Sequence, residues 1–415
     1  MINRWLCRIS LATLLTSFLP GPSIINVGPV DVNVFDTLFL TSAVLFLASI
    51  SLRGRLFAQL NGASAPGLLY PLVVVFASIW GAVLYEYPVG YIVGDMRWIQ
   101  AISISLILFH AYKYNYSVIN DFRFVIYIGI VINAAFVILQ MIASLGGEPA
   151  GLLEWWYKDV PPTSGRPLGF HINRFSGATG QPSGLGFFAT ISIGYALTSV
   201  KKSDTQLITV AGALLLLIAS GSRTAIVAST CIIFGYVVFF SGQDRVRYIF
   251  YLFIAFAIAL PIAISLDLGR IAQPDRYRML IDIASGDMAY HEVASRGEKW
   301  WGAVERRNQD HLLFGTLSNP SHVYSDLTVD GGYFHVFARL GPVGLFLVGV
   351  MLFAPGLAIL VRTKGKHILF AGTVFFAVAI MAINANTFTG VAGRNIMAFG
   401  LFLLSVKVPP SERSS

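Results

Sequence analysis

The sequence predicts an all-α polytopic membrane protein of about 12 transmembrane helices, with one large polar loop between spans 9 and 10. Three observations lead to this fold class. The 415-residue chain is 55% hydrophobic and only 12% charged, which is more apolar surface than a water-soluble globule of this length could bury. Apolar runs of near-spanning length follow one another along most of the chain. One long polar interruption, at about 267–339, separates the last three runs from the others.

The predicted spans follow these apolar runs in chain order. The first run, residues 9–19, follows Arg4 and Arg8 in the manner of a signal peptide. No small-residue cleavage site follows it and a second run begins soon after, so we interpret it as an uncleaved helix. The other predicted spans are residues 35–52, 67–85, 98–112, 122–145, 183–200, 205–221, 223–240, 247–266, 333–361, 367–385 and 393–407.

We divide the chain into three parts on this basis. Residues 1–266 are expected to form a transmembrane bundle of spans 1–9, with an external loop at 146–182. Residues 267–332 are expected to form the large, partly helical periplasmic loop, and residues 333–415 the bundle of spans 10–12 with a short cytoplasmic tail. Because apolar runs of spanning length bound the polar loop on both sides, we expect it to be held at one face of a bilayer.

The distribution of Lys and Arg over the short loops orients the predicted spans. If the spans alternate in direction, the short basic loops lie on the same side, and the positive-inside rule makes that side the cytoplasm, with both termini in it. The short loops on the other side, residues 20–34 and 86–97, contain few basic residues, and the second contains Glu86, Asp95 and a single Arg97. Most of the remaining arginines are therefore expected outside, in the two long loops.

The net charge of +8 does not point to nucleic acid. The basic residues are spread over short loops at span ends and over the two long loops, and they do not form one basic tract. Anionic lipid head groups or an anionic substrate fit this distribution better, so no nucleic-acid partner is expected.

The external loop at 146–182 leads into a glycine-rich motif. Residues 174–186 read Arg-Phe-Ser-Gly-Ala-Thr-Gly-Gln-Pro-Ser-Gly-Leu-Gly, which brings a cation and a turn to the start of the next span. Backbone amides and Arg174 could approach an anionic ligand closely there. A flexible connector is the alternative, because Gly and Pro are common in loops. Upstream, residues 151–157 contain two Trp and a Tyr and predict a short amphipathic segment at the membrane interface.

Arg223 lies directly between two predicted spans, within Ser-Gly-Ser-Arg-Thr-Ala at 220–225. An arginine in that position is costly unless it reaches the interface or a polar cavity, so contact with an anionic ligand is one interpretation. The small residues before it would let such a ligand come close. Snorkelling of the side chain to the outer head groups is the alternative.

The large loop contains three further features. Arg296 and Lys299 are spaced to share one face of a short helix. Residues 311–315, His-Leu-Leu-Phe-Gly, form an apolar plug that could dock the loop onto the bundle. Asp330 and His335 lie where the loop enters span 10. Asp330 is a carboxylate near several arginines, and its alternative role is that of N-cap for the following span.

The order of these motifs resembles that of the O-antigen ligase and O-antigen polymerase superfamily. The resemblance covers residues 170–345, and the twelve-span frame with a large late external loop also fits. It is carried by the Arg174 segment, by Ser-Gly-Ser-Arg-Thr-Ala at 220–225, by Ser-Arg with the following Trp and the Leu-Phe-Gly plug within 295–315, and by Asp-Gly-Gly-Tyr with Gly-Pro-Val-Gly within 330–344.

What the resemblance implies is an inverting glycosyltransferase at the outer face of the bacterial inner membrane, with no metal and no cofactor. Members of the superfamily transfer a glycan from a polyprenyl pyrophosphate carrier to a sugar hydroxyl. The implied partners are the glycan donor, the glycan acceptor, the lipid bilayer, and the chain-length regulator and flippase of a polysaccharide assembly system. Arg223 and Arg296 match the pyrophosphate contacts of the family, and Arg174 is a third candidate. Ligases carry a histidine where this chain has Asp330, counted back from Gly341, so the resemblance favours a polymerase of O-antigen, capsule or exopolysaccharide.

These residue types also suit the chemistry. Displacement of a lipid pyrophosphate from an anomeric carbon builds negative charge on the leaving group, which fixed guanidinium groups stabilise. The attacking sugar hydroxyl must lose a proton, so a positioned carboxylate or imidazole is required. We predict Asp330 as the general base, with His335 in reserve.

Three alternatives stand beside the polymerase. They are an O-antigen ligase that transfers glycan to a lipid A core, a transporter of lipid-linked sugars, and a non-catalytic assembly partner. A transporter is expected to place charges or broken helices at mid-membrane depth and to contain two related halves. The span interiors are nearly free of charge and no internal repeat is detected, so the sequence favours the enzyme.

Overall fold

The computed structural model describes most of the predicted helical regions and few residues of the large loop. The described residues are 2–19, 21–27, 30–53, 66–87, 89–114, 118–144, 150–158, 175–199, 203–240, 305, 314–317, 331–362, 366–383, 388 and 390–405. Within them the fold is all-α apart from one two-stranded hairpin.

Twelve α-helices and the hairpin make up most of the described regular structure. The helices are α1 Ile2–Thr16, α2 Val34–Arg53, α3 Leu69–Tyr85, α4 Val89–Tyr114, α5 Val118–Ser144, α6 Ala150–Trp156, α7 Pro182–Ser199, α8 Ser203–Ser220, α9 Arg223–Gly235, α10 Gly332–Arg362, α11 Lys366–Met381 and α12 Val391–Ser405. A short π-helical turn, Tyr236–Phe240, continues α9. The strands are β1 Ser23–Val27 and β2 Val30–Asn33, which pair antiparallel.

Helices occur at eleven of the twelve predicted spans, and the remaining one, residues 247–266, lies outside the described residues. Three helical segments are long and apolar enough to cross a membrane, as judged by length and composition: Val34–Leu52, Asp121–Ala143 and Gly332–Phe353. Five further apolar helices in the described regions are shorter.

Two segments that were expected to be short external loops are regular instead. Residues 23–27 and 30–33 form the strands of the hairpin, and α2 begins directly after the second strand. There the Asn33 side chain accepts a hydrogen bond from the Asp36 N–H (3.1 Å), and the Asp36 side chain accepts one from the Asn33 N–H (3.3 Å), which is the reciprocal pattern of a capping box. Helix α4 begins at Val89, so the expected loop at 86–97 is wrong for residues 89–97. The sequence concealed this because Asp95 and Arg97 interrupt the apolar run.

Contacts between Cα atoms divide the chain into two compact units. Unit 1 consists of Met1–Phe57 and Ile107–Pro274, and unit 2 consists of Ala58–Leu106 and Asp275–Ser415. The boundary at 106/107 falls inside α4, so the two ends of this helix belong to different units. The units group the chain differently from the division at 266 and 332, which followed only the order of spans along the sequence.

In unit 1, aromatic and small residues bring α1, α5 and α7 together. The Phe18 ring, just after α1, packs edge-on against Phe188 of α7, with ring centroids 5.5 Å apart. A Cβ atom at Gly129 of α5 would come within 2.3 Å of the Phe188 ring, so the absence of a side chain there makes room for it. Close approach at small residues is the usual means of packing apolar helices in a membrane.

In unit 2, α10 is broken near its N-terminal end. Gly341 has φ 64° and ψ −158°, which is outside the helical region and accessible essentially only to glycine. Pro342 follows it and has no backbone N–H to donate to Ala338, four residues earlier. The break therefore leaves the Ala338 and Arg339 carbonyl groups without their usual helical partners.

Residues 314–317 of the large loop bind these two carbonyl groups. The Thr316 N–H donates to the Ala338 oxygen (3.0 Å), and the Leu317 N–H donates to the Arg339 oxygen (2.9 Å). The loop residues that contact α10 are thus Thr316 and Leu317, just after the expected apolar plug. Phe314 of the plug is exposed, and Leu317 is the buried apolar residue. Residues 311–313 of the plug lie outside the described residues.

We expect Gly341→Ala to lower the free energy of unfolding by about 1–3 kcal/mol, because alanine is strained at this φ and ψ. Thermal unfolding of the purified protein in detergent or nanodiscs measures the effect. The matched control is Gly349→Ala in the same helix, where an added Cβ meets no atom of the described residues within 4 Å and helix propensity favours alanine. Equal stability of the two variants would show that the break does not depend on glycine.

Candidate functional site

Arg223 is the first residue of α9 and is half-buried. It follows a tight turn from α8, in which the Ser220 hydroxyl donates to the Leu217 oxygen (2.7 Å) and accepts from the Ser222 N–H (3.1 Å). Ser222 occupies the N-cap position of α9 but makes no side-chain capping bond. The first turn of α9 thus lacks the side-chain acceptor that usually satisfies its amide groups at this position.

The turn within the glycine-rich motif, residues 175–181, is held in place by side chains of α5. The Gln140 side-chain oxygen accepts hydrogen bonds from the N–H groups of Ser176 (3.2 Å) and Gly177 (3.1 Å). The Asn133 side-chain oxygen accepts one from the Ala178 N–H (3.0 Å). Because these acceptors are buried and fixed on a helix, this segment is a constrained turn and not a flexible connector.

The end of α6 holds the same turn from another side. The Trp156 indole N–H donates to the Ala178 oxygen (3.1 Å), and the Tyr157 hydroxyl donates to the Gly177 oxygen. Burial raises the pKa of Tyr157, so its hydroxyl stays protonated and remains a donor. Trp155 is exposed, as expected for a segment at the membrane interface, but Tyr157 is buried. The segment at 151–157 therefore packs against the glycine-rich turn as well.

The structure brings the first two sequence motifs together. The Phe175 N–H donates to the Ala219 oxygen (3.0 Å), which joins the glycine-rich segment to the end of α8. A Cβ atom at Gly186 of α7 would lie 2.7 Å from the Ala225 Cβ and 2.8 Å from the Ser222 Cβ, so α7 and α9 touch at this glycine. The two motifs were recognised in the sequence separately, and they form one structural element here.

Helices α7 and α9 run parallel from this contact. One turn further along, the Thr190 hydroxyl hydrogen-bonds the Ser229 hydroxyl (2.9 Å). Residues 186 and 190 of α7 thus pair in the same direction with residues 225 and 229 of α9. The N-terminal ends of two helices therefore lie side by side, with Arg223 at the start of one. Both helix dipoles and the guanidinium group favour an anion at this end.

Most of the other predicted site residues cannot be placed. Arg174, Arg296 and Asp330 lie outside the described residues. His335 lies in the first turn of α10 and is buried, with its N–H bonded to the Gly331 oxygen (2.9 Å). Arg223 belongs to unit 1 and His335 to unit 2.

Unit 2 contains a buried ion pair that sequence reasoning missed. Arg339 of α10 donates through Nη1 to Oδ1 of Asp95 in α4 (2.8 Å) and through Nη2 to Oδ2. The Ser78 hydroxyl of α3 donates to the same carboxylate (2.5 Å), and Arg339 also contacts that hydroxyl. Arg339 is 2% exposed and Asp95 5%. The expectation of nearly charge-free helix interiors is therefore wrong at this place.

A second buried arginine lies near this pair. Arg394 of α12 is 4% exposed and donates through Nη1 to the Gly94 carbonyl oxygen of α4 (2.6 Å). It was overlooked in the sequence because it lies inside an apolar run that was taken as a span. Its one signal was the charge itself, since an ionisable residue within a predicted span marks a candidate functional site.

Among the described residues, no group of three or more His, Cys, Asp or Glu side chains could hold a metal ion. The buried charged groups of the described residues are the guanidinium groups of Arg339 and Arg394 and the carboxylate of Asp95, and guanidinium groups recognise phosphate and carboxylate ligands. Comparison of the chain with models of known protein families and with curated proteins finds no match in either.

We expect the Asp95 and Arg339 side chains to be strongly coupled energetically. Asp95→Asn or Arg339→Gln alone leaves one buried charge uncompensated, which costs about 3–5 kcal/mol. The double variant should lose clearly less than the sum of the two single losses, because it leaves no unpaired member of the pair. Thermal unfolding of all three variants measures the coupling. Arg123→Gln, on the exposed face of α5, is the control and should stay within about 0.5 kcal/mol of the wild type. Strictly additive losses would contradict the coupling.

Proposed function

We propose that this protein is an inverting glycosyltransferase that polymerises oligosaccharide repeat units carried on polyprenyl pyrophosphate, as in O-antigen, capsule or exopolysaccharide synthesis. The observation that supports the proposal most is the junction in unit 1, where the glycine-rich turn meets the Ser-Gly-Ser-Arg turn at the N-terminal ends of α7 and α9. A pyrophosphate group suits this position because two helix N-termini, backbone amides and Arg223 would all interact favourably with its charge.

The reaction we propose is a single displacement at the anomeric carbon. The acceptor hydroxyl attacks from the face opposite the pyrophosphate, the bond between the anomeric carbon and the phosphate oxygen breaks, and the configuration inverts. Charge then builds on the departing pyrophosphate, where Arg223 is assigned to stabilise it, with Arg296 and Arg174 as further contacts. The leaving group departs as a lipid pyrophosphate anion, so it requires charge stabilisation and no proton.

The proton of the acceptor hydroxyl is assigned to Asp330 as general base. A positioned base of this kind contributes about 10²–10⁴-fold to the rate. His335 is the reserve candidate; it lies in the first turn of α10, one helical turn before Arg339. Because the Arg339 side chain is fixed by Asp95 and its carbonyl group by Leu317, the first part of α10 is a rigid support for His335.

The proposed location is the inner membrane of a bacterium, crossed many times, with both termini in the cytoplasm. The three long apolar helices support a membrane location, and the one-sided distribution of basic loops supports the orientation. In that orientation the donor, the acceptor and their lipid carriers meet the enzyme at the outer face of the bilayer. A flippase would supply the repeat units there, and a chain-length regulator would act on the product.

A transporter of lipid-linked sugars is the second candidate. The buried Asp95–Arg339 pair favours it, because ionisable residues within membrane helices often line substrate pathways. The two functions differ in what accumulates when the protein is inactive. A defective polymerase leaves single repeats on the carrier at the outer face, a defective transporter leaves them at the inner face, and a defective ligase leaves full-length chains on the carrier.

We expect Arg223→Ala and Arg223→Lys to reduce polymer formation by about 100-fold or more, with single carrier-linked repeats accumulating at the outer face. Lysine keeps the charge but cannot reproduce the planar fork that binds two phosphate oxygens. Polymer length and carrier-linked glycans are measured in a strain that lacks the chromosomal copy. The control Arg123→Lys should be normal. Near-normal polymer with Arg223→Lys, at equal protein level, would favour simple head-group anchoring and count against the pyrophosphate role.

We expect Asp330→Asn to reduce the rate by about 100-fold or more while stability hardly changes, since asparagine keeps the size of the side chain but is not a base. The alternative role of Asp330 as N-cap is wrong, because α10 begins at Gly332 and the carbonyl group of Gly331 accepts its first hydrogen bond, which makes Gly331 the N-cap. If Asp330 is not the base, the Asn variant polymerises almost normally. Retained activity in Asp330→His would show that the site accepts either kind of base. An active Asn variant would refute the assignment and make His335→Gln the next test.

A further inference from the structure

The buried carboxylate of unit 2 is fully engaged by one of the arginines near it. Oδ1 of Asp95 accepts from Arg339 Nη1, and Oδ2 accepts from Arg339 Nη2 and from the Ser78 hydroxyl. Both carboxylate oxygens of Asp95 thus accept a hydrogen bond from Arg339. The hydrogen bond from Arg394 goes to the backbone, at the Gly94 oxygen, and adds no negative charge.

The charges around Arg394 do not balance. Among the described residues, the side chains that act on it electrostatically are Arg97, Asp95, Arg339 and Tyr70, and of these four Asp95 alone carries a negative charge. The described cluster therefore contains three arginines and one carboxylate. Burial of a cation without a counter-charge costs several kcal/mol, so an additional anion would lower the free energy of this arrangement.

The position of Arg394 in its helix adds to the imbalance. It is the fourth residue of α12, whose first turn contains no acidic residue. The N-terminal end of a helix carries partial positive charge and stabilises anions, so a buried cation is disfavoured there. The Nε atom of Arg394 is buried and has no hydrogen-bond partner among the described residues. A guanidinium group with unused hydrogen-bonding capacity next to a helix N-terminus is a suitable site for an anion.

Gly94, whose carbonyl group accepts the hydrogen bond from Arg394, lies at the described surface. Gly94 is exposed, and a Cβ atom built on it would meet no atom of the described residues within 4 Å. Arg97, one turn along α4, is half-buried, so part of its side chain is accessible from the described surface. An anion could approach Arg394 and Arg97 along the Gly94 face of α4.

We propose that Arg394 and Arg97, at the N-terminal parts of α12 and α4, form a phosphate-binding site in unit 2 that is separate from the site assigned to glycan transfer. Phosphate fits better than a single carboxylate, because a phosphate or pyrophosphate group carries enough negative charge to offset two arginines and its oxygens match the guanidinium fork. The phosphate is either that of a lipid or free in water. The site includes none of the residues assigned to glycan transfer, which are Arg223, Arg296, Arg174, Asp330 and His335. The proposal of a phosphate site can therefore be tested independently of the proposed reaction.

Binding of inorganic pyrophosphate and of polyprenyl phosphate to the purified full-length protein tests the site. Inorganic pyrophosphate is titrated against protein in phosphatidylcholine nanodiscs and followed calorimetrically. Polyprenyl phosphate is added to protein in detergent and followed by native mass spectrometry. We expect Arg394→Gln and Arg97→Gln each to weaken binding of at least one probe by about 10-fold or more, which is the loss of one charge-assisted hydrogen bond. Arg123→Gln removes the same charge elsewhere and should leave both affinities unchanged.

The outcomes separate the ligand sources and the two sites. Loss of pyrophosphate binding in the variants identifies a free phosphate ligand, and loss of polyprenyl phosphate binding alone identifies a lipid-borne one. Arg223→Gln should leave this binding event in place, whether or not polymer formation depends on Arg223. If Arg394→Gln does not fold, Arg97→Gln decides the question, because a half-buried side chain is less important for folding. Unchanged affinities for both probes in Arg97→Gln, or no binding by the wild type, would overturn the proposal.

Discussion

The bidentate contact between Arg339 and Asp95 is the interaction on which the described part of unit 2 depends. It joins α10 to α4, and through the Ser78 hydroxyl it also includes α3. Two opposite charges that are buried together cost far less than either alone, so neither side chain can be removed or reoriented without its partner. The backbone of Arg339 takes part in a second contact, since its carbonyl group accepts the Leu317 N–H. One residue thus couples the ion pair within the helices to the docking of the large loop.

That coupling requires the break in α10. In a continuous helix the carbonyl groups of Ala338 and Arg339 would bond within the helix and could not receive Thr316 and Leu317. Gly341 and Pro342 together prevent those helical bonds, through a backbone conformation reserved for glycine and a missing N–H. The Gly-Pro pair is therefore the local sequence feature that lets a loop segment bind the side of a membrane-type helix. The motif Gly-Pro-Val-Gly has this structural function whatever reaction the protein catalyses.

Local sequence features predicted the helices well and the site only in part. Apolar runs of spanning length located a helix at every predicted span within the described residues, because burial in lipid or in a bundle requires such runs. The same criterion placed the start of one span at residue 98, although α4 begins at Val89. It did so because Asp95 counts as polar whether it is solvated or paired. Its partner Arg339 is 244 residues away in the chain, and no periodicity or composition connects the two. The glycine-rich turn was recognised by its glycines. The hydrogen bonds that fix it come from Gln140 and Asn133, 36 to 45 residues earlier in the chain, and such distant contacts leave no local signal in the sequence.

The two arginines that carry the proposals both lie in the first turn of a helix, where the helix dipole disfavours a cation. Arg223 begins α9 and Arg394 lies in the first turns of α12, although cations are stabilised at helix C-termini and destabilised at N-termini. Neither first turn contains an acidic residue to compensate. A surface arginine could avoid the cost by extending into water, but Arg394 is buried and Arg223 is half-buried. A bound anion would offset this unfavourable interaction at both positions, because it would interact favourably with the guanidinium group and with the helix dipole. The positions of these arginines therefore support the two proposals more than their number does.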